Sequence, residues 1–218
     1  MHLDKVGSPN AISLETSMDG NTWTDYSWTN KAGDTLTLAN IGDKVYMRAK
    51  TENQTIGSSL SKSYKFVMTG KIAASGNIQT LLKADGSRTD APKYCYCGIF
   101  SSCSSLTTAP ELPATTLALG CYYSMFAGCT SLTTAPALPA TTLVDYCYSN
   151  MFSYCSNLNT IKLGYTGNFA NAPSGAFSGW VAGVAQTGTF YYNGSDTTTG
   201  ESAIPSGWTV SPWPVNGK

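Results

Sequence analysis

The chain has 218 residues in which 13 lysines and arginines balance 13 aspartates and glutamates, and charged residues make up only 12%, against about 25% in ordinary globular chains. A surface with so little charge and no net excess cannot supply the counterion release that drives nucleic-acid binding, nor polybasic attraction to anionic lipid, so neither partner is expected. The one histidine, His2, lies at the N-terminus, which argues against histidine-dependent triads and zinc sites of the HExxH type.

Serine and threonine form about a quarter of the chain, so its polar surface is largely hydroxyl. No run of eighteen apolar residues is present, and no membrane insertion is expected. The opening Met1-His-Leu-Asp-Lys-Val-Gly-Ser-Pro9 has no apolar signal core. An extracellular location then implies either a trimmed export signal or arrival by another route, such as a virion.

Residues 1–70 read as a β module. Short alternating runs at Ile12–Thr16, Thr22–Tyr26, Thr35–Leu38, Lys44–Lys50 and Ser63–Met68 are separated by turn signals at Asp19-Gly20 and Gly42-Asp43, the pattern of antiparallel strands. The expected fold is a small sandwich resembling an immunoglobulin-like or fibronectin-like module, without the Cys-Trp-Cys pattern of a true immunoglobulin domain. Ser59-Leu-Ser-Lys62 has the SxxK form of serine acyl-enzymes, but the companion triplets are missing. The Gly70 to Gly76 stretch is the expected boundary, and residues 71–218 form the second domain.

That domain opens with Asn77–Leu82, read as a strand, and an Asp85–Asp90 loop, read as a polar connector because it lacks the closing glutamate of a calcium loop. A repeat with a period of twenty-six follows: the segment from Cys121 to Leu143 recurs one period earlier, from Cys95, and one period later, from Cys147. Cys95, Cys121 and Cys147 align, as do Tyr96, Tyr122 and Tyr148; Ile99, Met125 and Met151; Phe100, Phe126 and Phe152; Cys103, Cys129 and Cys155; and Leu106, Leu132 and Leu158. These positions are the expected core. Apolar offsets of 0, 4, 5 and 8 predict a short helix, and Leu-x-x-Ala or Leu158-x-x-Ile161-x-Leu163 predicts a strand bounded by prolines. A unit of this kind buries its face only by stacking on its neighbours. Phe177, Trp180, Val181 and Val184 at helical spacing, a strand at Gly188–Tyr192 and Ile204–Trp208 are read as the closing cap.

The Met-Phe-x-Gly-Cys-Thr-Ser-Leu-Thr-Thr-Ala-Pro signature of the middle copy resembles the BspA-type leucine-rich repeats of surface proteins in gut bacteria and some of their phages, over about residues 76 to 210. The resemblance implies a capped, mainly β leucine-rich-repeat (β/α) solenoid with short helices, used as a non-catalytic recognition surface. The copies here are fewer, and the Pro-x-Leu-Pro-Ala-Thr-Thr-Leu loop is longer than in the type members.

Six of the seven cysteines fall on two recurring positions, which favours free, stacked core thiols over disulfides. Cys97 stands outside that pattern and is expected to point outward. With Cys95 and Cys103 it makes no convincing zinc site, since there is no CxxC pair or fourth ligand. No metal or cofactor is expected. Glu111 and Asp145, the only charged residues between Tyr94 and Ile161, occupy different places in the repeat and form no repeated acid pair.

The candidate binding surface is therefore polar and aromatic. Thr107, Thr108, Thr133 and Thr134 place hydroxyls along the strands, either as a plain solvated face or as a platform for a glycan, a protein or, less readily, ice. Tyr123, Asn150 and Tyr154 lie where the copies differ most. The expected function is a non-enzymatic extracellular module on a bacterial surface that binds a protein or glycan on a cell surface. The alternatives are a phage tail-associated receptor-binding or structural protein, a structural spacer and a carbohydrate-active enzyme.

Overall fold

The computed structural model describes residues 1–27 and 35–214. Strand β1 (His2–Val6) pairs antiparallel with β5 (Ser63–Val67), placing Leu3 opposite Phe66. Strand β2 (Leu14–Ser17) lies between β3 (Thr24–Tyr26) and β4 (Tyr46–Ala49), antiparallel to both. The β2–β3 connection turns at Asp19-Gly20 as expected: the Asp19 carboxylate accepts the N–H groups of Asn21 and Thr22 at 2.8 and 2.7 Å, an Asx-type turn. Across β2 and β4, Arg48 pairs with Glu15 at 2.6 Å and lays its guanidinium 3.7 Å from the centre of the Trp23 ring.

These two small sheets are not the expected immunoglobulin- or fibronectin-like sandwich, and the alternating run Thr35–Leu38 forms no strand. The apolar side of β5 is used elsewhere. Phe66 stacks on Phe100 with ring centres 5.1 Å apart, and its N–H donates to the Ile99 carbonyl at 2.7 Å. Phe100 makes the equivalent bond to Met125, and Phe126 to Met151. Gly57 likewise donates to Cys95 as Tyr96 does to Cys121. Residues 57 and 66 thus take the positions of a preceding copy, and the core runs unbroken from Leu3, Tyr64 and Phe66 into the repeats.

The repeats are built differently from the sequence expectation. Among the described residues there is no α-helix, only two short 3-10 turns, Ile78–Leu81 and Phe169–Asn171, and the sheets contain two or three strands each. The leucine-rich-repeat (β/α) solenoid with short helices is therefore corrected: the segments read as helices, Cys95–Cys103 and its equivalents, are ribbons of consecutive turns. Odd-numbered amides in the first copy close turns within the ribbon, Cys97 to Tyr94, Ile99 to Tyr96, Ser101 to Gly98 and Cys103 to Phe100. Even-numbered amides reach the next copy, Tyr96 to Cys121, Gly98 to Tyr123, Phe100 to Met125 and Ser102 to Ala127. Alternate use of the amides inside the ribbon and between copies satisfies the backbone without a helix.

The reason lies in the backbone at every fourth residue. Tyr94, Gly98 and Ser102 have positive φ, as do Gly120, Ser124 and Gly128 and then Tyr146, Asn150 and Tyr154. A positive φ at the third residue of a four-residue turn is the type II geometry, and a left-handed residue every four positions is incompatible with an α-helix. Apolar offsets of 0, 4, 5 and 8 fit a period of four as well as one of 3.6. The tyrosine at offset 1, buried in all three copies, fits the period of four.

A fourth ribbon follows the third, displaced by twenty-nine positions where the earlier copies are displaced by twenty-six. Tyr148 donates to Ala176, Asn150 to Ser178 and Phe152 to Trp180, so Phe177, Trp180, Val181 and Val184 belong to turns and not to the expected helix. Val181 donates to Glu201, and the Trp180 indole donates to the Ala203 carbonyl at 2.8 Å, which closes this end. The expected opening strand at Asn77–Leu82 is instead a 3-10 turn capped by the Asn77 side chain.

Inside the stack each aligned position becomes a column. Tyr96, Tyr122 and Tyr148 stack at 5.7 and 6.1 Å, and Phe100, Phe126 and Phe152 at 5.4 and 5.8 Å, with the rings within 10° of parallel. The Sγ–H groups of Cys103, Cys129 and Cys155 donate to the carbonyls of Phe66, Phe100 and Phe126 at 3.1, 3.1 and 3.0 Å. The strands run alongside. Strand β6 (Ile72–Ala73) pairs in parallel with β8 (Leu106–Thr108), and β7 (Asp90–Ala91) with β9 (Thr116–Leu117). Strands β10 (Thr160–Leu163), β11 (Thr189–Tyr192) and β12 (Thr209–Ser211) form a parallel sheet.

Candidate binding surface

The expected surface residues fall on two segments of each copy. Thr108, Thr133 and Thr134 are exposed, whereas Thr107 is half-buried and donates its hydroxyl to the Ile72 carbonyl at 3.2 Å. Thr134 bridges to Thr160, which pairs with Thr189 and then Thr209. The strand side therefore carries an in-register row of four threonines, two of which, Thr189 and Thr209, come from outside the three aligned copies.

Tyr123, Asn150 and Tyr154 lie on the turn ribbons. The Asn150 amide donates to the Tyr123 hydroxyl at 3.3 Å. Asn150 and Tyr154 themselves occupy left-handed positions, with φ of 52° and 59°, and a third such residue, Tyr146 at 57°, completes the row. For a bulky non-glycine residue this conformation costs about 1–2 kcal/mol. The aligned positions in the fourth copy are Gly175, Gly179 and Gly183, and each side chain of the third copy leans over one of them. A Cβ at Gly175 would lie 2.4 Å from the Tyr146 ring, one at Gly179 would lie 2.6 Å from the Asn150 side-chain Oδ1, and one at Gly183 would lie 3.1 Å from the Tyr154 ring. The fourth copy thus makes room for the third. Tyr154 is 71% exposed and Tyr146 43%.

Sequence reasoning misses Tyr146 because it precedes the first aligned cysteine and looks like a linker residue. The signal that reveals it is the run Gly175-x-x-x-Gly179-x-x-x-Gly183, which aligns with Tyr146, Asn150 and Tyr154 at the longer displacement of the fourth ribbon.

The nucleophilic and ionisable candidates are occupied elsewhere. Cys97, expected to point outward, is only 4% exposed, and burial pushes its thiol up to about 11. All seven cysteines are free and buried. Burial holds Cys95, Cys103 and Cys147 at about 11 and Cys155 at about 12, away from the thiolate form that reacts or binds metal. Among the described residues no three His, Cys, Asp or Glu side chains are grouped to hold a metal. Ser59 and Lys62 exchange backbone hydrogen bonds at a loop tip. Asp85 accepts the Ser87 N–H at 2.9 Å, and Asp90 is paired with Arg88 at 2.7 Å. Glu111 lies on an open groove lined with Pro110, Pro113, Pro136 and Pro139, and Asp145 is exposed one copy further on. Among the described residues no helix is long and apolar enough to cross a membrane.

No protein-family model matches the chain, and no curated protein or solved structure is significantly similar to it.

Proposed function

We propose that the chain is a non-enzymatic recognition module, acting outside the cell on a bacterial surface, whose partner docks on the outer edge of the turn ribbons. The observation that carries this reading is the third copy's choice of Tyr146, Asn150 and Tyr154 at three left-handed positions where glycine would be free of strain. Side chains held in a disfavoured backbone region concentrate at functional sites, and tyrosine offers a large, rigid, amphipathic contact area at low entropic cost. The likeness of the repeat signature to BspA-type surface repeats supports the same reading.

The test is binding of labelled protein to intact gut bacterial cells and, in parallel, to host mucin and matrix glycoproteins. Saturable binding to one of these, lost in Tyr154→Gly, is the expected result. Failure to bind any of them, or binding indifferent to Tyr154, would remove the reading.

A further inference from the structure

We infer that the Tyr146–Asn150–Tyr154 row is a subsite for a neutral glycan, an assignment that rests on the recognition role proposed above and specifies its ligand. Three features of the row select this chemistry. It presents two exposed tyrosine rings on either side of one amide, with each of the three side chains four positions from the next. Tyrosine rings offer apolar faces to the C–H faces of a pyranose, while their hydroxyls and the amide offer donors and acceptors to its hydroxyls. The Asn150 amide is oriented by its bond to the Tyr123 hydroxyl, so that orientation is set before a ligand arrives.

Charge gives the second feature. The only charged residues between Tyr94 and Ile161 are Glu111 and Asp145, and no basic side chain lies in that stretch to attract an acidic polymer. Area gives the third. An aromatic side chain buries about 150–250 Å² when fully covered, so two partly exposed rings and an amide offer a few hundred Å² at most. A stable protein interface needs about 800 Å² from each partner, whereas a short oligosaccharide fits the smaller figure. The glycines at 175, 179 and 183 accommodate the three side chains, so the row rests on the backbone of the fourth copy and is held in place before a ligand arrives.

The experiment titrates the full chain calorimetrically with six-unit oligosaccharides of glucose, galactose, mannose and xylose. It also measures retention on gut bacterial cells before and after periodate oxidation of their sugars. The variants are Tyr146→Gly, Asn150→Gly and Tyr154→Gly, each placing glycine where φ is already positive, with Thr115→Ala, at an exposed residue outside both candidate surfaces, as the control. At least one oligosaccharide is expected to bind, with affinity reduced tenfold or more in each of the two tyrosine variants and unchanged in Thr115→Ala, and retention on cells is expected to be lost after oxidation. If no oligosaccharide binds while oxidised cells are still retained through Tyr154, the glycan assignment falls and the recognition role stands. If neither oligosaccharides nor cells are bound, both fall. Equal loss of sugar binding in Thr115→Ala would show that the tyrosine variants act through the fold and not through the ribbon edge, and would overturn the assignment.

Discussion

Raising the pH should unfold this protein near pH 10, because its core is built from thiols that cannot ionise in place. Cys95, Cys97, Cys103 and Cys147 are held at about 11 against an ordinary value of 9.0, and Cys155 at about 12, each mainly by burial. A thiol whose folded pKa exceeds its unfolded one supports the fold fully below the unfolded value, and that support is lost as pH rises toward the folded value. At pH 10 each of these thiols has lost on the order of 1 kcal/mol of that support. Five of them together remove several kcal/mol, on the order of the whole stability of an ordinary domain, about 5–15 kcal/mol. The assay follows tryptophan fluorescence and far-ultraviolet circular dichroism from pH 7 to 11, with thiolate absorbance read on the same samples. Thiolate should appear together with loss of structure, in one cooperative step. Thiols that titrate near pH 9 while the fold persists would refute the buried-column arrangement.

Other expectations concern the same columns. Phe126 lies between Phe100 and Phe152 and is fully buried, so Phe126→Ala should cost about 3–5 kcal/mol in urea unfolding; a near-neutral result would place the ring outside the core. The tyrosine column should respond with opposite signs. Tyr96 donates its hydroxyl to Gln79 at 2.7 Å, so Tyr96→Phe strands a buried amide oxygen and should destabilise by about 1–3 kcal/mol. The Tyr122 hydroxyl is buried without a hydrogen-bond partner, and Tyr122→Phe should be neutral or stabilising by about 1 kcal/mol. Gly175→Ala combines a φ of +64° with a Cβ placed 2.4 Å from the Tyr146 ring, so it should destabilise by at least about 1–2 kcal/mol, measured by thermal unfolding.

Much of the stack is legible in the sequence because the repeat aligns the core with itself. The residues aligned at the cysteine, tyrosine, Ile/Met, phenylalanine and leucine positions are all buried, and strands β8, β10 and β11 lie where Leu106, Ile161 and Phe190 suggest. The helix expectation fails because hydrophobic spacing alone does not separate a period of four from 3.6. The separating information sits in small residues, Gly98, Gly120 and Gly128, whose backbone angles no hydrophobic pattern records. The sandwich expectation fails for a different reason. Alternation in Ser63–Val67 shows that one side of β5 is apolar, but not that this side covers Phe100, which lies far beyond it in the chain. Of the ribbon-edge row, Asn150 and Tyr154 are visible as positions where the copies differ, and Tyr146 is not. The threonines of the strand side are identified by the repeat, but their continuation to Thr189 and Thr209 depends on parallel pairing beyond it.

Under the proposed recognition role, the third copy keeps side chains in strained positions for contact rather than for stability. The most direct test of that claim is the unfolding free energy of the triple variant Tyr146→Gly, Asn150→Gly, Tyr154→Gly, measured beside its binding to intact gut bacterial cells. Release of left-handed strain, about 1–2 kcal/mol per bulky residue, offsets the added chain entropy of glycine, about 0.5–1 kcal/mol each, and the lost ring contacts. The variant should therefore be about as stable as the parent protein and should not bind cells. A variant that has lost several kcal/mol of stability, or one that still binds as the parent does, would contradict the claim.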